Sequence, residues 1–172
     1  MISDKMTEAI NKQINAELYS AYLYLGMSAD AENKGYKGTS HWLSVQAQEE
    51  ISHAMKFYQY LLSQGAKAEF LAIEKPPAEY ASISEIFEKT LAHEQLVTSL
   101  INGLVDIAVE EKDHASQIML QWFVSEQVEE EENASDILSQ LKMVGDHGGG
   151  VFLIDKEIGA RVPLVTMPVA GE

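Results

Sequence analysis

Glu50 and His53 stand three residues apart in Glu50-Ile51-Ser52-His53. On a helix that interval points a carboxylate and an imidazole at one place, so the pair offers an oxygen and a nitrogen donor to a shared cation. Gln127 and Glu130 repeat the interval nearer the C-terminus, while Glu17 and Glu94 are single acids set into apolar stripes of their own. The chemistry such a set performs is metal ligation by oxygen and nitrogen. Cysteine is absent, which removes disulfides, thiolate-bound zinc, iron–sulfur clusters and a thiol nucleophile together.

The elements that must hold these residues can be read from punctuation and period. With 172 residues, 46% of them hydrophobic, the chain can bury one core and is read as a single domain over 1–172. Its prolines (Pro76, Pro77, Pro163 and Pro168) leave 1–75 and 78–162 free of helix breakers. Inside those stretches apolar residues recur at alternating steps of three and four, the pattern of a buried helical stripe.

The spacing predicts a first helix over about 4–33, with seam residues Ile10, Ile14, Glu17, Ala21, Tyr24 and Ser28. A second runs over about 40–64, N-capped by Thr39 or Ser40, with Leu43, Ala47, Glu50, His53, Phe57 and Tyr60 on its seam. The third, about 83–111, begins at Ser82 or Ser84, on the capping-box pattern Ser82-Ile83-Ser84-Glu85, and carries Phe87, Thr90, Glu94, Val97, Ile101, Leu104 and Ala108. A fourth covers about 113–144, through Ser116, Leu120, Phe123, Gln127, Glu130, Ala134, Ile137, Leu141 and Val144. Gly145 and Gly148-Gly149-Gly150 stop it, and a short fifth helix over about 150–162 precedes a tail over 163–172.

Helices one and two, and likewise three and four, are joined by a few residues and must be antiparallel pairs. The connection over about 66–81 is long enough, at about 3.3 Å per residue, to run the whole length of a helix of about 40 Å. The expected architecture is an all-α four-helix bundle with one long crossover between the second and third helices.

In that bundle Glu17, Glu50, His53, Glu94, Gln127 and Glu130 fall at one depth, about 15–25 Å from the shared end. Isolated polar residues on a seam are common, but four coincident acids are not. Each unpaired buried carboxylate costs several kcal/mol, which a stability of about 5–15 kcal/mol cannot absorb, and the seam offers no Lys or Arg at that level. The acids therefore call for cations, and four negative charges match two divalent ions. Imidazole with carboxylates suits iron, manganese or zinc better than magnesium or calcium, and a dinuclear iron site is expected.

A second acidic layer flanks the first: Glu49 on the second helix, and Glu126, Glu129, Glu131 and Glu132 on the fourth. Like charges three residues apart destabilise a helix unless a cation gathers them, which favours Glu49, Glu126 and Glu129 as ligands and leaves Glu131 and Glu132 as a solvated face. Tyr24 lies two turns from Glu17 on the same face, where it reads either as a core tyrosine, the commoner role, or as a group able to hydrogen-bond a ligand or donate an electron. Trp122 reads as packing, and His41, His93, His114 and His147 read as surface histidines.

Charge narrows the function classes. Against 12 Lys+Arg stand 27 Asp+Glu, a net −15, which repels nucleic acid and anionic membrane. Neither is expected as a partner. No segment reads as a secretory signal or reaches the roughly 18 apolar residues of a membrane span, so a cytoplasmic location is expected.

Three motifs carry a family resemblance that spans essentially the whole chain: Gln13-Ile14-Asn15-Ala16-Glu17-Leu18-Tyr19-Ser20-Ala21-Tyr22-Leu23-Tyr24, Gln48-Glu49-Glu50-Ile51-Ser52-His53-Ala54 and Trp122-Phe123-Val124-Ser125-Glu126-Gln127-Val128-Glu129-Glu130-Glu131. In order and in placement they resemble the prokaryotic non-haem ferritins. The resemblance implies a ferritin-like bundle and a first iron held by Glu17, Glu50 and His53. Glu50 would bridge to a second iron held by Glu94 and Glu130, with Gln127 close by. It implies a third iron site at Glu49, Glu126 and Glu129, sharing Glu130. Gln127-x-x-Glu130 stands where bacterioferritins carry a second Glu-x-x-His, and Ile51 where they carry a haem-ligating methionine, so no haem is expected.

The activity so implied is iron storage by a ferroxidase, with Fe(II) oxidised by O₂ or peroxide and laid down as a ferric mineral inside a homo-24-mer cage whose fourfold axes the fifth helix lines. The main rival is a di-iron peroxidase or oxygenase that never stores iron; a rubrerythrin-like version needs cysteines that this chain lacks. A DNA-protecting mini-ferritin places its ligands between subunits, and a metal-free cytokine-type bundle leaves four buried acids without a role.

Overall fold

The computed structural model describes residues 2–145 and 147–163. They form five helices: α1 (Asp4–Asn33), α2 (Lys37–Ser63), α3 (Ile83–Glu110), α4 (His114–Val144) and α5 (Gly148–Ile158). Most of the tail expected over 163–172 lies outside the described residues. None of the described helices is long and apolar enough to cross a membrane.

Local chemistry sets most of the helix ends. Ser3 Oγ accepts from Met6 N at 3.0 Å, and Asp113 Oδ1 from Ser116 N at 3.1 Å. Ser82, rather than Ser84, caps α3: its Oγ accepts from Glu85 N at 3.1 Å while Glu85 Oε2 reaches back to Ala81 N. Gly35 closes α1 with φ +85°, a conformation glycine enters without strain.

Three boundaries differ from the sequence expectation, and all three involve α5. The second helix begins at Lys37 rather than at a Thr39 or Ser40 cap, because Asp155 of α5 supplies the missing acceptor to Gly38 N (3.1 Å) and Thr39 N (2.8 Å). The glycines at 148–150, read as a stop, form the first turn of α5 instead, secured by Gly150 N donating to His147 Nδ1 at 3.1 Å. The same helix ends at Ile158 rather than near 162, at Gly159.

The long connection lies along α1 and is held at both ends. Asn11, near the start of α1, donates to Lys67 O (3.0 Å) and accepts from Glu69 N (2.7 Å), while Asp30, near its end, accepts from Tyr80 N (3.2 Å). The chain therefore returns the length of the bundle before α3 starts, which makes α2 and α3 parallel. Helices α1 and α2 pack as one pair, α3 and α4 as another, with α5 against α2 and α4.

The interior divides into two apolar clusters. One, beside α5, gathers Tyr24, Met27, Trp42, Leu43, Ile86, Phe87, Leu141 and Ile154; the other, at the far end, gathers Met6, Ile10, Phe57, Leu61, Ile101, Leu104, Leu120 and Phe123. The buried polar residues Gln13, Glu17, Gln46, Glu50, His53, Glu94, Gln127 and Glu130 belong to neither.

Candidate metal centre

All four helices contribute to this polar layer. Glu17, Glu50, Glu94 and Glu130 are each 5% exposed or less, and His53 is 4% exposed. Donor atoms of Glu17, Glu50 and His53 lie within 4.8 Å of one another, as do those of His53, Glu126 and Glu130. His53 thus stands between two ligand groups, its Nδ1 3.6 Å from Glu50 Oε2. Its ring is fixed by edge contacts to Trp122 (centroids 5.4 Å apart) and Phe123 (5.9 Å).

Neutral amides and a phenol hold the carboxylates. Gln13 Nε2 donates to Glu17 Oε1 at 2.8 Å, and Gln46 Nε2 donates to Glu130 Oε2 at 2.8 Å and Glu50 Oε1 at 3.1 Å. Tyr24 donates its phenol proton to Glu94 Oε1. Gln127 Nε2 lies 3.2 Å from Glu94 Oε2, which accounts for a glutamine on this seam. Among the described residues, Glu17 Oε2 is buried without a hydrogen-bond partner.

The electrostatics follow from desolvation. Burial, reinforced by the neighbouring acids, pushes the Glu17 and Glu50 carboxyls well above the ordinary carboxylate range. Burial raises Glu94 to about 6 and Glu130 to about 8. At neutral pH these values leave Glu130 largely protonated and Glu94 largely ionised. A cluster that gathers protons against its own charge, with one buried oxygen unpartnered, has the donor set to exchange those protons for divalent cations.

The flanking acids differ in burial and in partner. Glu126 is half-buried and reaches His53 and Glu130, Glu129 is exposed, and Glu49 is buried in a salt bridge with Arg161. Glu131 is half-buried and accepts from Thr98 Oγ1 at 2.5 Å, while Glu132 is exposed. His93, expected at the surface, is instead largely buried between Tyr19 and Tyr24; its Nε2 is 2.8 Å from Ser20 Oγ, and burial lowers its pKa to about 4.

Three residues of this layer escape a reading of the seams. Gln13 and Gln46 each sit one turn before a ligand candidate, so the repeated spacings Gln13 to Glu17 and Gln46 to Glu50 were the available signal. Arg161 follows α5, where no periodicity points at the bundle.

Comparison with known proteins agrees with this geometry. The family profile "Ferritin-like domain" matches residues 7–144. A "Probable bacterial non-heme ferritin-like protein" of Haemophilus influenzae is 46% identical over 92% of this chain and 96% of its own length. A "Bacterial non-heme ferritin" of Bacteroides fragilis is 44% identical over 94% of this chain and all of its own. Among solved structures, the open pore ferritin of Archaeoglobus fulgidus superposes with a TM-score of 0.93 at 46% identity, covering 94% of this chain and 100% of that one. Profile, relatives and superposition span the helices that carry the polar layer, and this chain belongs to the ferritin family, on its non-haem branch.

Proposed function

We propose that this protein stores iron, binding and oxidising Fe(II) within each bundle and depositing the ferric product inside a shell of its own copies. Glu17, Glu50 and His53 take one ferrous ion; Glu94 and Glu130, with Glu50 shared, take the second, and Gln127 steadies Glu94. Each ion gives one electron, so the pair supplies two electrons to O₂, which with two protons becomes H₂O₂; with peroxide as oxidant, two electrons and two protons give two waters. Glu49, Glu126 and Glu129, beside Glu130, form a third position through which iron passes inward. The shell is a homo-24-mer in the cytoplasm, and no haem takes part.

The observation that carries this reading is the enclosed layer itself, in which four carboxylates from four helices meet one imidazole and the buried Glu17 Oε2 has no hydrogen-bond partner among the described residues. Four negative charges balance two divalent ions, and that balance favours metal over any internal partner. Aerobic Fe(II) titration of the apo protein, followed by gel filtration and counting of the co-eluting iron, tests storage. Iron far above two or three ions per chain on a large particle is the expected outcome. Saturation at about two per chain on a small particle would establish a non-storing di-iron redox enzyme instead. Glu50→Ala removes the shared ligand and is expected to slow rapid oxidation severely; near-normal rates would refute the assignment.

A further inference from the structure

Arg161 comes from outside the bundle and is seated on a built surface of α2. Trp42, Gln46 and Glu49 lie on one helical face at successive turns. The guanidinium carbon stands 4.5 Å from the Trp42 ring centroid, Nη1 donates to Gln46 Oε1 at 2.6 Å, and Nη2 is salt-bridged to Glu49 Oε2. A cation–π contact, a hydrogen bond to a neutral amide and an ion pair thus engage one planar group, the combination that suits arginine and not lysine. Its side chain is 19% exposed and that of Glu49 is 8% exposed.

The approach of this segment is equally fixed. Asp155 anchors α5 to the start of α2, His41 Nε2 lies 2.9 Å from Arg161 O, and Gly159 passes so close to Gly38 that a Cβ on Gly159 would come within 2.7 Å of the Gly38 Cα. Gln46 then links the arginine to the centre, since its Oε1 accepts from Arg161 while its Nε2 donates to Glu50 and Glu130.

We propose that Arg161 is a tethered cation that takes the place of a metal ion at Glu49, so that a third ion uses that carboxylate only by displacing the guanidinium. This rests on reading Glu49, Glu126, Glu129 and Glu130 as a third cation position. One buried carboxylate satisfies either counter-charge but not both in the same place. Arg161 is thereby a specificity device for the inward route: an ion enters Glu49 when its own charge outcompetes the arginine, and the amide of Gln46 signals that exchange to Glu50 and Glu130.

Anaerobic calorimetric titration of the intact metal-free protein with Zn(II), which has no redox chemistry, tests the idea. Two tight ions per chain and a weaker third are expected for the parent protein. Arg161→Gln, which keeps a hydrogen-bonding side chain and loses the charge, is expected to tighten the third ion about tenfold or more. Adding Glu49→Gln should abolish that gain. A third-ion affinity within about twofold of the parent in Arg161→Gln overturns the proposal, whereas the absence of a tight pair in the parent overturns the dinuclear reading itself.

Fluorescence gives a second readout. There are two tryptophans, so a Trp122→Phe background reports Trp42 alone. Its emission should change as the third equivalent binds when Arg161 is present and stay flat with Arg161→Gln. Emission that ignores the third ion in the Arg161 protein overturns the displacement.

Discussion

Gln46 Nε2 lies 2.8 Å from Glu130 Oε2 and 3.1 Å from Glu50 Oε1, so a single neutral amide spans two carboxylates contributed by opposite helix pairs. Groups that orient metal ligands typically matter almost as much as the ligands themselves. Gln46→Leu is expected to lower ferrous affinity or oxidation rate by about 10–100-fold while the helices stay intact by circular dichroism. Stopped-flow oxidation at parent rates would show that the bridge is dispensable.

Tyr24 makes a narrower test because its phenol donates to a single ligand candidate, Glu94, among the described residues. Tyr24→Phe keeps the buried ring and deletes the hydrogen bond, at a cost of about 1–3 kcal/mol for the oxygen left without its donor. Two ions should still bind, with slower first turnover. If the phenol also donates an electron, the transient tyrosyl absorption of the parent disappears in the variant under single-turnover conditions.

Acids held for binding should be a burden to the metal-free fold. Replacing Glu17, Glu50, Glu94 and Glu130 by Leu, together with their buried donors Gln13, Gln46 and Gln127 by Leu and Tyr24 by Phe, removes the polar layer at roughly equal volume, a change that is typically neutral or stabilising by about 1–4 kcal/mol. The expected result is a metal-free variant at least as heat-stable as the parent at pH 8 and inert toward Fe(II). A variant that melts far below the parent would mean that the acids sustain the bundle directly.

The same burden sets a pH dependence. Burial raises Glu94 to about 6 and Glu130 to about 8, against an ordinary 4.5. Each holds its proton more tightly folded than unfolded, so its contribution to stability is complete below the unfolded value and is lost as pH rises through the folded one. Metal-free protein is expected to lose thermal stability between about pH 5 and 8, and saturating Zn(II) should reverse that slope because the ions replace the protons. Calorimetric melting with and without chelator distinguishes the two curves.

Gly38 is where α5 presses on α2, and a Cβ there would overlap the carbonyl oxygen of Asp155. Gly38→Ala must push α5 away, at about 1–3 kcal/mol, and dislodge Arg161 with it. A lower melting temperature together with altered Trp42 emission is the expected pair of changes. Unchanged values for both would show that α5 adapts without leaving its seat.

The seams were legible because burial imposes a 3.6-residue period that few alternatives share, and Ile10, Glu17, Glu94 and Glu130 all face inward as that period requires. What the period cannot carry is any contact made from outside a helix. Asp155 supplies the start of α2 from a residue far along the chain, so local capping rules placed that start too late. His93 lies just off the seam of α3, and only the flanking tyrosines of α1 bury it. Arg161 engages Glu49 through a turn with no repeating pattern, so the spacing shows the second acidic layer as carboxylates alone although it carries its own positive charge.

The two apolar clusters on either side of the polar layer also bear on how the chain opens and closes. Each is large enough to hold its end of the bundle, but the layer between them contributes no comparable hydrophobic cohesion while it holds protons. In the metal-free chain, amide hydrogens in the turns around Glu17, Glu50, Glu94 and Glu130 should exchange with solvent sooner than those near Ile10 or Leu141. On the proposed reading, iron bound in this layer would act as a rivet through the waist of the molecule, joining two half-bundles into one cooperative unit and making conformational rigidity a by-product of cargo.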